Sequence, residues 1–279
     1  MALKTLLVHV NDKPQCKQQL NFAIRLALDF DARLVGIYLV PTHELTPSIA
    51  ALLPNDVVAR RLQETGVAQA QAETLFRQAA QVAGLTAIEW RAPSGDPVAA
   101  AVAHARCADL TVIGQPEADQ PDFRFLEELA QTVALSAGRP TLFTPYAGLG
   151  RPPGQRVLVA WDGGREASRA VGDALPILAR AKHVTVTAIH RDESDRIADE
   201  AATSRLADYL HSHGIDAKVD HSSIEDISVG EWLLSRSADL DIDLIVMGAY
   251  AHTRLRELVL GGVTRTMLRS MTVPVLMSH

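Results

Sequence analysis

The residues with the most chemical promise lie near the carboxyl end of the chain. An apolar run, Asp243-Leu-Ile-Val-Met247, leads into Gly248 and Ala251, and a second cluster follows at Gly261-Gly262-Val263-Thr264. A loop leaving a buried strand can present backbone N–H groups to a polyphosphate, and glycine lets that backbone approach closely. A glycine pair at the start of the next helix adds N–H groups and the positive end of the helix dipole. The chemistry would be phosphate recognition. Asp162 closes an earlier apolar run ahead of Gly163-Gly164, where it could contact a ligand or cap the helix that follows. Gly261-Gly262 could likewise serve only to start a helix.

Other reactive residue types are placed less favourably. His211 and His213 are two apart on an expected helix, about 200° from each other, which suits shared metal ligation poorly. They read as surface histidines. Asp109 and Asp243 open matching strands and read as turn residues, and Arg254, Arg256 and Arg265 as solvated helix-face charges. Cys16 reads as a helix residue and Cys107 as a packed one. The sequence holds no G-x-S-x-G elbow, no Walker lysine motif, no G-x-G-x-x-G after a strand and no H-E-x-x-H. No nucleophile, general base or metal site can be named from it.

The elements that position these residues occur twice. Leu6-Leu7-Val8-His9-Val10-Asn11 aligns with Val157-Leu158-Val159-Ala160-Trp161-Asp162 at an offset of 151. Both are short apolar runs ending in a polar residue, as buried parallel strands do. Leu34–Leu39 matches Val184–Ile189 at about the same offset. Asp109–Gly114 matches Asp243–Gly248 at 134, and Arg139–Phe143 matches Val273–Met277 at 134 again. The fall from 151 to 134 means that the first copy carries 17 extra residues, assigned to Thr42–Arg60 as a projecting loop or short helix.

Helices are expected between the strands. Ala68, Ala72, Leu75, Ala79 and Val82 share one face, and Gly84 stops the run. Asp96 should cap a helix that begins at Pro97. Ser168–Ala181 and Ile197–Leu210 read as helices, with Pro176 expected to kink or split the former. Strands alternating with such helices imply parallel sheets covered on both faces, with ligands beyond the carboxyl strand ends where strand order reverses. The expected domains are 1–147 and 154–279, joined by Ala147–Gly154.

Length, composition and charge fit two globular domains. The chain has 279 residues, 47% hydrophobic and 22% charged, with net charge −6 and basic residues scattered, so no nucleic-acid partner is expected. The amino-terminal apolar run, about six residues, is too short for a signal peptide or a membrane span. With two unpaired cysteines, this points to a reducing, cytoplasmic setting and no membrane partner.

The stretch Gly248–Thr264, preceded by Asp243-Leu-Ile-Val-Met-Gly and followed by Val273-Pro274-Val275, resembles the end of a universal stress protein domain. The nucleotide-binding branch of that family carries G-x2-G-x9-G-[S/T] here, and the resemblance covers nearly the whole chain, twice. It implies an α/β fold of two tandem doubly wound domains, each a five-stranded parallel sheet with helices on both faces, like the adenine-nucleotide alpha hydrolases. It also implies a small-molecule partner, ATP or another adenine nucleotide. Gly248, Ala251, Gly261, Gly262, Val263 and Thr264 would surround the phosphates. Asp162 matches the family acid near the adenosine, and Ile189 and Met247 match apolar positions flanking the nucleoside. Pairing through the final strands would bring Leu142 near Leu276 in an intramolecular pseudo-dimer. The resemblance leaves further dimerisation and the protein partners open.

Two residues depart from that pattern. Ala251 replaces the second motif glycine, and Gly262 replaces the Ser or Thr after the third. Each substitution should cost about 1 kcal/mol of binding, together about tenfold to a hundredfold in affinity. In the first copy Gly114 is followed by Gln-Pro-Glu-Ala-Asp-Gln-Pro-Asp, whose three acids would repel phosphate, and Asn11 stands in place of Asp162. The expected function is a stress-response regulatory or protective protein that binds an adenine nucleotide in its second domain. The alternatives are an interaction scaffold without nucleotide and a slow ATP hydrolase.

Overall fold

Short aliphatic runs form most of the strands and are almost wholly buried in a computed structural model, whereas the strands Ile88–Arg91 and Ala217–Ser223 are polar in part and half-buried to exposed. The structure describes residues 2–41, 52–148, 153–190, 193–223, 227–249 and 262–279. They fall into two units, one of Leu3–Gly114 with Ala118–Ala137, the other of Gly138–His279 with Gln115–Glu117.

The first unit runs β1 (Thr5–His9), α1 (Cys16–Phe30), β2 (Arg33–Ile37), α2 (Asn55–Ala83), β3 (Ile88–Arg91), α3 (Pro97–Ala105), β4 (Leu110–Gly114) and α4 (Phe123–Ser136). Its strands lie in the order β3-β2-β1-β4, all parallel. Right-handed crossovers carry helices to opposite faces as the chain winds first one way and then the other. Accordingly α1 packs on α2, and α3 on α4.

The second unit begins with β5 (Thr141–Thr144). It continues through β6 (Arg156–Ala160), α5 (Arg165–Leu178), β7 (His183–His190), α6 (Glu193–Ser212) and β8 (Ala217–Ser223). It ends with α7 (Val229–Asp239), β9 (Leu244–Gly248), α8 (Gly262–Ser270) and β10 (Val275–Ser278). The strand order is β5-β10-β9-β6-β7-β8, parallel except for β5 against β10. In that antiparallel pair Leu142 lies opposite Leu276, its counterpart in the repeat, as expected. By sequence β5 belongs to the first repeat, yet in space it belongs with the second. The expected α/β class, mostly parallel and doubly wound, is the observed one.

Several local expectations hold, and others shift. Asp96 Oδ1 accepts the N–H groups of Val98 and Ala99 at 2.9 and 3.0 Å, capping α3 with Pro97 in its first turn. Gly84 ends α2 with φ +76°. The inward face of α2, however, is Ala72, Phe76 and Ala80, while Val82 is 90% exposed. Phe76 turns inward because its ring meets Trp90 at 5.5 Å over Gly36, where a Cβ would come within 3.0 Å of both rings. Asn55–Arg60, assigned above to an inserted loop or short helix, are the first turns of the long helix α2, and 42–51 lie outside the described residues. Helix α5 runs through Pro176 without splitting. The proline sits in the last turn, so only the bond it would have given to Gly172 is lost. Cys107 is exposed rather than packed, whereas Cys16 is buried in α1.

Asp243 is a structural clamp, which its place at a strand opening did not suggest. It is buried, and its carboxylate accepts the N–H groups of Gly154, Gln155 and Arg156 at 2.7, 3.0 and 3.0 Å. Its own N–H donates to the Arg156 carbonyl at 2.9 Å. Asp109 does the same more lightly, accepting from Lys4 and Thr5 at 2.8 and 2.9 Å. Bonds to a buried carboxylate are the strong kind, and truncation strands the donors. Asp243→Ala should therefore cost about 3–5 kcal/mol in denaturant unfolding, and Asp109→Ala clearly less. A cost below about 1 kcal/mol at Asp243 would remove the clamp from this account.

Candidate functional site

The parallel register decides which residues meet at the carboxyl edge of the second unit. Ala160 lies beside Thr187 on one side and Met247 on the other. Asp162 and Ile189, each two residues further on, therefore emerge at the same edge as Gly248 and Ala249. This is where winding reverses, with β7 and β8 to one side of β6 and β9 and β10 to the other. Open parallel sheets bind ligands at such a point.

Each candidate residue has a distinct setting. Asp162 is exposed, and its Oδ1 accepts the Gly164 N–H at 2.8 Å, closing the turn before α5. The cap position itself is Gly164, and Asp162 Oδ2 makes no hydrogen bond among the described residues. Ile189 is half-buried at the end of β7, whereas Met247, 4% exposed, is a core residue beside Met277. Gly262 opens α8, and among the described residues a Cβ there would meet nothing within 4 Å. Val263 is half-buried, and Thr264 turns inward with Met267 and Leu268. Ala251 and Gly261 lie outside the described residues.

Gly248 has a reason to be glycine that phosphate does not supply. A Cβ there would sit 2.6 Å from Ala167 N and 2.8 Å from the Glu166 carbonyl carbon, because the start of α5 crosses directly over it. Glu166 also brings charge to that point. Burial pushes its carboxyl up, but its own backbone N–H, Arg165 and His279 outweigh burial and hold it below the usual range. It is therefore an anion beside Gly248, with Arg165 Nη2 at 2.8 Å as counterion. Neither the close approach nor the acid could be read from sequence, since the contact spans the two ends of the repeat.

In the first unit the equivalent edge is furnished differently. Asn11 Oδ1 accepts the Lys13 N–H at 3.1 Å, the same turn that Asp162 makes. Above Gly114 lies the Gln19 side chain, whose Nε2 donates to the His9 carbonyl at 2.8 Å. Asp122, just before α4, is ion-paired with Lys13 Nζ. The chain's own carboxylate thus stands where a bound anion would meet the helix start. Beside it is a cavity of about 460 Å³, lined among others by His9, Tyr38, Arg61 and Phe125.

The tempting histidine pair is accounted for locally. His211 Nδ1 lies 3.0 Å from Asp216, and the His213 ring meets Tyr209 edge-on at 4.7 Å. Among the described residues no group of His, Cys, Asp or Glu is arranged to hold a metal, and no helix is long and apolar enough to cross a membrane.

Two measurements follow from these settings. His9 is 5% exposed, and burial, opposed by Asp122 and assisted by Lys13, lowers its pKa from 6.5 to about 4. The unfolded chain therefore takes up a proton that the folded one refuses between those values. Stability is full above pH 6.5 and should fall by about 3 kcal/mol as pH drops through 4. His9→Gln should flatten that part of the pH profile in urea unfolding. Gly248→Ala should destabilise the protein by about 1–3 kcal/mol with no ligand present, because the neighbour it strikes is backbone.

Comparison with known proteins agrees with the geometry. The universal stress protein family profile matches residues 2–145 and again 154–279. No curated protein matches the chain by sequence. Among solved structures, a universal stress protein from Archaeoglobus fulgidus DSM 4304 superposes with a TM-score of 0.74 at 16% identity, covering 98% of this chain and 97% of its own. A putative universal stress protein from Pseudomonas aeruginosa UCBPP-PA14 gives 0.58 at 16% identity, with 99% and 93% covered. The cytoplasmic domain of a prokaryotic cation chloride cotransporter gives 0.53 at 12%, with 99% and 95% covered. At such identities the likeness establishes fold alone, but two family matches spanning nearly the whole length establish kinship. The chain is a tandem two-domain member of the universal stress protein family.

Proposed function

We propose that the second repeat binds an adenine nucleotide at the carboxyl edge of β9, β6 and β7, and that its occupancy serves as a signal in a cytoplasmic stress response. The observation that carries this reading is Asp162, an exposed carboxylate at the reversal of winding with Oδ2 uncommitted among the described residues. That oxygen would accept a hydrogen bond from the adenosine moiety, with Ile189 as apolar flank. The phosphates would meet the N–H groups at the start of α8, where among the described residues nothing crowds Gly262.

A scaffold that binds protein partners without nucleotide is favoured by a different observation. Gly248 is glycine because α5 crosses it, and the Glu166 anion beside it opposes phosphate.

Mass spectrometry of nucleotide released from purified protein, followed by calorimetry with ATP, ADP and AMP, separates the readings. The double variant Ala251→Gly/Gly262→Ser should bind more tightly than wild type, by about tenfold or more, since each restored contact is worth about 1 kcal/mol. Among the described residues, nothing stands within 4 Å of the Cβ that a serine would place at 262. Asp162→Ala should weaken binding while the unfolding transition stays in place. If the restored double variant gives no heat with any of the three nucleotides, the scaffold reading stands.

A further inference from the structure

The second unit contains a groove that the nucleotide reading does not use. It lies between α5 and α6, has a volume of about 470 Å³, and its described lining includes neither Ile189 nor the described residues of the segment from Met247 to Thr264. Its floor is apolar, formed by Val171 and Leu206, 2% and 5% exposed. Its walls are aromatic, with Trp161 half-buried and Tyr209 exposed. Trp161 Nε1 is buried and has no hydrogen-bond partner among the described residues. At the rim stands Arg205, exposed, whose guanidinium makes no ion pair or hydrogen bond among the described residues. Among the described residues no acidic side chain lines the groove.

We infer that this groove binds a small planar aromatic carboxylate. Two aromatic side chains over an apolar floor favour a flat ring, which gains both burial and stacking. Arg205, the one uncommitted cation among the described lining residues, selects an anion, and its guanidinium fork matches a carboxylate in two parallel hydrogen bonds. A polyphosphate would meet too little positive charge here. The volume is that of an ordinary small-ligand site and admits a one- or two-ring molecule. Trp161 and Gly163 also flank Asp162, so the ligand would rest against the β6–α5 turn. The inference does not depend on nucleotide binding.

The test uses the full, nucleotide-free chain and sodium 2-naphthoate as probe, with uncharged 2-naphthamide as its control. Calorimetry should show saturable one-to-one binding of the naphthoate. Arg205→Ala should weaken that binding at least tenfold, and so should exchanging the carboxylate for the amide. In ¹⁵N-labelled protein, one of the three tryptophan indole signals should shift on titration, and it should be the one that Trp161→Phe removes. Arg205 is exposed, so its replacement leaves the fold intact. Absence of saturable binding overturns the inference. So does naphthoate binding that Arg205→Ala leaves unchanged, an amide that binds as well as the acid, or a shift confined to Trp90 or Trp232.

Discussion

The buried carboxylate of Asp243 is the interaction on which the second unit depends. A parallel strand cannot be tied to its neighbour by a tight turn, so its start must be fixed by something else. Asp243 does this by gathering three consecutive N–H groups, from Gly154 to Arg156, at the first residue of β6. With that end fixed, the register follows residue by residue to Ala160 beside Met247, and from there Asp162 and Gly248 must emerge together. Asp109 plays the same part at β1 with two bonds instead of three. The clamps sit at the amino ends of the strands and the candidate site at the carboxyl ends, so one end holds the register and the other is free to vary.

The two repeats have used that freedom differently. Both keep the polar turn after the first strand and the glycine that ends the fourth, and both turns close on a side-chain oxygen two residues before its donor. What covers the glycine differs. In the second repeat it is helix backbone, which leaves no room for any side chain. In the first it is the amide of Gln19, held by the His9 carbonyl. Charge differs as well, since Asp122 and Lys13 neutralise each other at the start of α4, while α8 begins at Gly262, which has no close neighbour among the described residues. The Asp122 carboxylate turns to Lys13 rather than to the N–H groups of α4, at whose cap position it makes no side-chain hydrogen bond.

The exposed aromatic groove between α5 and α6 adds to this asymmetry. Trp161 occupies the position that Val10 holds in the first repeat, where the side chain is fully buried. Exchanging an aliphatic core residue for a large, partly exposed aromatic opens a surface that a ligand can stack on. The same turn carries Asp162, so the two features of the second unit are neighbours in the chain and in space.

The sequence by itself determined the repeat, the order of strands and helices, the α/β class and the family. These follow from local properties, namely apolar runs, cap residues such as Asp96 and stop residues such as Gly84, each legible within a few positions. The candidate site was legible in part, because Asp162, Ile189 and Gly248 each end a recognisable strand. Only the tertiary structure decided what those residues do. The sequence read Asp243 as a turn residue, because the three donors it serves lie almost ninety positions earlier. Phe76 rather than Val82 faces inward because Trp90 and Gly36 receive it. The fifth strand of the first repeat joins the second unit because Leu142 pairs with Leu276. Gly248 is required by the backbone of α5, which no local pattern discloses. Contacts between distant positions depend on register and packing, and those exist only once the whole chain has folded.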